Sequence, residues 1–172
     1  MALDIVVKSL LRVELIAGLK PLQVAELARR SDRIVYRPGD TIICEGATGD
    51  AAVLIVKGDA VRTSGPGLAD GAEPIADGSL LGEICMLVEA QHTSTVVARG
   101  VTRAIRITRD AVLEQIAADP GIADQLSHTL SRRLHGIATQ LRDIDAALAN
   151  SEATYLPVSA AYDAGHAGFA VH

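Results

Sequence analysis

The pattern of apolar and polar positions changes twice along the chain. Over residues 1–32 it keeps helical spacing: Leu10, Leu11 and Leu15 fall on one face, and Pro21 is placed to open a second helix through Leu22, Ala25, Leu27 and Ala28. From Arg33 to about residue 108 it becomes short β-branched runs cut by turn signals. Arg37-Pro38-Gly39-Asp40 predicts a turn, Thr41-Ile42-Ile43-Cys44 a strand, Ala52-Val53-Leu54-Ile55-Val56 a buried strand, and Gly58-Asp59 another turn. Residues 64–79, rich in Gly, Pro, Ala and Asp, predict a long exposed hairpin tip, and Val101–Thr108 predicts a last strand of alternating character. Helical spacing returns at Asp110, first for a short helix over 110–118 and then, after the Asp119-Pro120 start signal, for a long one.

These elements predict an α+β fold, mainly β: an antiparallel β-barrel or jelly roll flanked by N-terminal helices and a long C-terminal helix. The expected organisation is N-terminal helices over 1–32, the barrel over 33–108, C-terminal helices over 109–150 and a tail over 151–172. In the long helix, Leu130, Leu134, Ile137, Leu141, Ile144 and Leu148 follow alternating spacings of four and three, the a/d pattern of a helix seam. Such a stripe either packs on its own barrel or joins copies of the chain. A helix of about 30 residues rises about 45 Å at ~1.5 Å per residue, more than one barrel covers, so self-association is the expectation. Leu at a with Ile at d is not the dimer-favouring combination, which leaves the oligomer order open.

Composition narrows the class. With 172 residues, 49% hydrophobic but only three Tyr, one Phe and no Trp, the core has to be built from Leu, Ile, Val and Ala. The net charge of −5 lacks the basic excess of nucleic-acid binders. No apolar run is long enough to span a membrane, and the N-terminus does not read as a secretory signal. Cys44 and Cys85 stand apart without metal-ligand spacing, as in a reduced, cytoplasmic protein. Neither a nucleophile–base pair nor a metal-ligand cluster appears, so the expectation is a non-enzyme with no catalytic residue, no metal and no required cofactor. Three of the four aromatics, Tyr155, Tyr162 and Phe169, lie in the tail; it reads as an unstructured end or as a set of groove anchors.

Residues 81–98, LGEICMLVEAQHTSTVVA, hold the most chemistry. Gly82-Glu83 opens a short apolar turn, and amides at the start of a helical turn suit a phosphate. A glutamate beside an anion needs another task, such as accepting hydrogen bonds from sugar hydroxyls. His92-Thr93-Ser94-Thr95 supplies polar side chains ahead of Val96-Val97, but the segment contains no arginine.

The order of elements resembles the cyclic nucleotide-binding domain family, which includes catabolite-activator-like regulators, cyclic-nucleotide-gated channels and protein kinase A regulatory subunits. The resemblance covers about residues 10–145. Leu11-Arg12 through Gly18-Leu19 is similar to the family's LxxxPLFxGL opening, Tyr36-Arg37-Pro38-Gly39-Asp40 with Ile43-Cys44-Glu45-Gly46 to its YxxGxxIxxEG, and Gly49-Asp50 with Val56-Lys57-Gly58 to its GDxxYxIxxG. Ala52 and Val53 depart from the last of these. The family's phosphate cassette reads approximately FGELALLxxxPRxATVxA; Leu81-Gly82-Glu83-Ile84, Thr93, Thr95, Val96 and Ala98 fit it. The resemblance implies cyclic AMP or cyclic GMP as ligand. It implies Glu83 on the ribose 2′-hydroxyl, the amides of Glu83, Ile84 and Cys85 on the phosphate, and the Thr93 hydroxyl on phosphate or base, with Ser94 beside it.

Gln91-His92 stands where the family has Pro-Arg. Arginine presents a planar, permanently charged fork, whereas histidine offers one donor toward a given oxygen and titrates near neutrality. Losing most of one charged hydrogen bond, worth about 1.5–3 kcal/mol, weakens binding roughly tenfold to a hundredfold. Either His92 makes a weak, pH-sensitive phosphate site, or it is a polar loop residue of a cassette whose ligand has changed or gone. On the base side, Ile137 and Ala138 occupy positions where activator-like members place hydroxyls; Arg133 or His135 either substitutes for them or is a solvated helix-face residue.

Two functions follow. One is a stand-alone sensor of a cyclic nucleotide or an altered small-molecule effector, coupled to the C-terminal helix and through it to self-association or an unknown protein partner. The alternative is a degenerate, non-binding interaction module that uses the helix seam and the aromatic tail. A haem or redox sensor built on Cys85 or His92 has little support from two lone cysteines and scattered histidines. The chain continues about 22 residues past the long helix, too few for a helix-turn-helix, so direct DNA binding is not expected.

Overall fold

The computed structural model describes residues 3–68 and 71–154, with side chains to residue 148. It divides into two units, Met1–Leu130 and Ser131–His172. The first unit opens with α1 (Leu3–Leu10), α2 (Glu14–Ala17) and α3 (Pro21–Arg30). Pro21 is the first helical residue of α3, where a missing N–H costs nothing, and the Gln23 side chain turns back to accept the Lys20 amide at 2.8 Å. Among the described residues ten strands follow: β1 (Asp32–Tyr36), β2 (Thr41–Ile43), β3 (Thr48–Gly49), β4 (Ala51–Lys57), β5 (Ala60–Ser64), β6 (Glu73–Ile75), β7 (Leu80–Leu81), β8 (Ala90–Gln91), β9 (Thr95–Ala98) and β10 (Thr102–Thr108). A 3-10 turn, Glu83–Met86, lies between β7 and β8, and α4 (Arg109–Ala118) and α5 (Gly121–Thr154) close the chain.

All strand pairings are antiparallel. One sheet has the order β1-β10-β4-β7, a second β2-β9-β5-β6, and β3 pairs with β8 in a small ribbon. The barrel is not closed; the arrangement is jelly-roll-like. Side chains alternate across a strand, and β4 shows what that does here. Val53 and Ile55 join Ile42, Ile43, Val96, Ala98 and Ala104 in a core contributed by both sheets. Ala52 and Leu54 enter a second core with Ile105, Ile107, Met86 and the helical Val6, Leu10, Leu15, Ile16, Val24 and Leu27. Among the described residues no aromatic side chain sits in the helical core.

Three sequence expectations are corrected. The segment 64–79 is not one long tip: Glu73–Ile75 forms β6, paired as Ala60↔Ile75 and Arg62↔Glu73, with Pro74 tolerated because β6 is an edge strand. The N-terminal region holds three helices rather than two, because the chain turns at Arg12–Val13 before α2. Leu130 packs against the helical core of the first unit, so the exposed stripe begins only at Leu134.

The remainder of α5 belongs to the second unit. There Leu134, Ile137, Leu141, Ile144 and Leu148 are 50–66% exposed, an apolar stripe on one helix. Gly136, on another face of the same stretch of helix, has open space where a Cβ would be. The expectations for the aromatic tail, Tyr155, Tyr162 and Phe169, lie outside the described residues.

Candidate functional site

Leu80 and Leu81 pair with Leu54 and Val53 of β4, which fixes where the cassette begins. Gly82 then takes the left-handed conformation, φ +64° and ψ +33°, and the 3-10 turn starts at Glu83. A side chain is strained in that region, so glycine answers the turn's backbone demand. The Cys85 amide donates to Gly82 O at 2.9 Å. Of the three amides assigned to a phosphate by resemblance, that of Cys85 is therefore engaged inside the turn. Glu83 is half-buried, Ile84 exposed, and Cys85 and Met86 are buried.

His92 closes the cassette from its other end. Its backbone is fixed by a pair of bonds to the loop after β2: Gly46 N–H donates to His92 O at 2.8 Å, and His92 N–H donates to Ala47 O at 2.9 Å. Its ring lies against two glycines. A Cβ on Gly82 would come within 2.6 Å of Cε1 and 2.9 Å of Nδ1, and one on Gly49 within 2.8 Å of Nε2. Nδ1 is 3.7 Å from Cys85 Sγ, and that thiol is also 3.6 Å from Ala90 O. A thiol has one hydrogen, so it donates to the carbonyl or to the ring nitrogen, not to both. The imidazole is thus seated inward, between β3 and the turn.

Thr93 is exposed and Ser94 half-buried. Ser94 lies under the β5 hairpin, where a Cβ on Gly65 would come within 2.7 Å of Ser94 Cβ. Thr95 ties the cassette to its neighbours: its hydroxyl accepts the Glu45 amide at 3.0 Å, and its own amide donates to Ser64 Oγ at 3.1 Å. Gly82, Glu83, Ile84, Cys85, His92, Thr93 and Ser94 therefore lie on one continuous cassette of the first unit. Arg133 is a partly buried residue of α5 in the second unit.

Two participants escape a reading of the sequence. Gly49 is buried, and a Cβ there would meet Cys85 Sγ at 2.5 Å as well as the His92 ring. Arg109, the first residue of α4, donates from Nε to Cys85 O at 3.1 Å and from Nη2 to Gly49 O. Next to them, Arg106 bridges Asp50 at 2.6 Å and Asp32 at 3.5 Å. The hydrogen bond from Arg106, with its charge and that of Arg109, holds the Asp50 carboxyl below the usual carboxylate range. Among the described residues there is no group of three or more His, Cys, Asp or Glu side chains placed to hold a metal ion.

A left-handed glycine, a 3-10 turn led by glutamate and a following β-branched strand, set in a jelly roll between helices, form a recognisable combination. The sequence signature described as "Cyclic nucleotide-binding domain" matches residues 33–119. The chain belongs to the cyclic nucleotide-binding domain family. Among its relatives is a CRP-like cAMP-activated global transcriptional regulator of Mycobacterium tuberculosis, 28% identical over 139 residues, which cover 78% of this chain and 61% of that protein. A cAMP-dependent protein kinase regulatory subunit of Aspergillus fumigatus is 34% identical over 102 residues, covering 57% of this chain and 24% of the subunit. The chain thus spans about three fifths of the first relative's length and a quarter of the second's. Among solved structures, a cyclic nucleotide-binding-like protein from Brucella abortus superposes with a TM-score of 0.58 at 27% identity, covering 65% of this chain and 97% of that one. The N-terminal domain of a Streptomyces coelicolor transcriptional regulator gives 0.69 at 22% identity, covering 77% and 94%, a likeness of fold. These relatives bear the names of regulators, not of enzymes. Among the described residues no helix of this cyclic nucleotide-binding domain is long and apolar enough to cross a membrane.

Proposed function

We propose that this domain is a cytoplasmic sensor of a cyclic nucleotide, cyclic AMP or cyclic GMP, or of a related small effector, with a weakened phosphate site. The observation that carries the reading is the intact first half of the cassette: Gly82 left-handed, Glu83 leading a 3-10 turn, and the family signature running through it. Glu83 would accept from the ribose 2′-hydroxyl, and the amides of Glu83 and Ile84 would meet the phosphate. Thr93 and Ser94 would add hydroxyls. His92 would supply the side-chain donor where the family has arginine, after turning outward from its seat on Gly49 and Gly82. That rotation gives up the contact with Cys85, a further reason for modest affinity.

Occupancy would be read out through α5, by self-association of its apolar stripe or by a protein partner. Calorimetric titration with cyclic AMP and cyclic GMP tests the reading. Binding is expected in the micromolar range, and silence at about 1 mM ligand at pH 6 sinks it. The exposure of Leu134, Ile137, Leu141, Ile144 and Leu148 also favours a second reading, a ligand-free interaction module that works through this stripe.

A further inference from the structure

The first residue of α4 is held by three backbone carbonyls. The Arg109 amide donates to Asp50 O at 2.7 Å, Nη2 to Gly49 O, and Nε to Cys85 O at 3.1 Å. The third bond repairs a defect of the cassette. In a continued 3-10 turn Cys85 O would accept from the amide three residues on, that of Val88. The Val88 amide instead joins that of Leu87 on Ile84 O, both at 3.0 Å, and Cys85 O is taken by the guanidinium. The same guanidinium holds Gly49, whose α-carbon abuts Cys85 Sγ and the His92 ring.

We propose that Arg109 is the positioning residue of the ligand turn. It spaces Glu83–Met86 from β3 and makes the turn and the start of α4 move as one piece. Arginine is required because two carbonyls on different elements need a planar fork; lysine carries the charge but is a point donor. The spacing part of the proposal concerns the protein without ligand. The coupling part rests on the cyclic-nucleotide reading above.

The test is amide hydrogen exchange on the full chain, for wild type, Arg109→Lys and Arg109→Gln, without ligand and with cyclic AMP. Without ligand, both variants are expected to exchange at least about tenfold faster at residues 83–88, a local opening of the turn, with β10 protection unchanged. Unchanged exchange at 83–88 overturns the proposal. Equal acceleration across β10, with a lowered urea midpoint, also overturns it, since that marks a generic stabiliser. If Arg109→Gln unfolds, Arg109→Lys decides. With cyclic AMP, wild type is expected to slow at 83–88 and to change at 110–118, and Arg109→Lys to lose the second response; its retention overturns the coupling. If wild type shows no response to nucleotide, the sensor reading and the coupling fail together, while the ligand-free comparison still decides the spacing.

Discussion

The imidazole of His92 rests on the α-carbon of Gly82, with Cε1 only 2.6 Å from where a Cβ would stand. The glycine that opens the cassette and the residue that closes it are therefore one packed contact. Gly82 answers two demands at once, a left-handed backbone and room for a ring.

Gly82→Ala tests that double demand. The left-handed conformation costs a non-glycine residue about 1–2 kcal/mol, before any displacement of the ring. The variant is expected to lower the urea midpoint and to shift the His92 imidazole resonances in NMR spectra. If the resonances hold while stability falls, only the backbone demand is real.

His92→Arg addresses the departure from the family. If the site lacks only a charged fork, the variant binds cyclic AMP at pH 8 about tenfold more tightly than wild type, the value of a hydrogen bond of about 1.4 kcal/mol. Calorimetric titration of both proteins at pH 8 checks this. Failure of both proteins to bind places the defect elsewhere in the pocket.

Leu141→Asp puts a charge in the middle of the exposed stripe of α5. If the stripe joins copies of the chain, sedimentation is expected to show a smaller species than wild type at equal concentration. Leu141 is 57% exposed, so the fold itself should survive. An unchanged mass removes self-association through this face.

The Asp50–Arg106 pair gives a pH signature. Its carboxyl titrates below the ordinary range because Arg106 donates to it. A depressed folded-state pKa adds stability above the unfolded value of about 3.9, and that stability disappears as pH falls through the folded one. Asp50 is exposed, so screening limits the contribution to roughly 0.2–1 kcal/mol. Asp50→Asn should differ from wild type in urea unfolding at pH 7 and match it near pH 2; a gap that persists in acid would assign the effect to something other than charge.

The sequence makes the fold legible where physical demands are strong and local. The β-branched run of β4, proline at the start of α3 and the Asp119-Pro120 signal each announce their element; Asp119 Oδ1 accepts the Gly121 amide at 3.1 Å as α5 begins. Gly82-Glu83 is equally plain as a turn. Arg109 is invisible because its neighbours explain it: Thr108 caps α4, accepting the Ala111 amide at 3.2 Å, and an arginine next to a cap reads as solvent-facing. Gly49 looks like one more turn glycine, since its crowding comes from residues more than 30 positions away. Leu130 is misread for a different reason. A core-facing helix stripe and an oligomer seam share one spacing, so periodicity alone does not mark where the first ends.

β4 belongs to two cores on alternate residues, and this makes the strand a parity constraint on the whole domain. Insertion of one residue after Ala52 would carry Val53 and Ile55 toward the helices and Leu54 toward the opposite sheet. Every later contact of the strand would invert at once. An insertion of two residues would restore the order. Change in this strand is therefore expected in even steps.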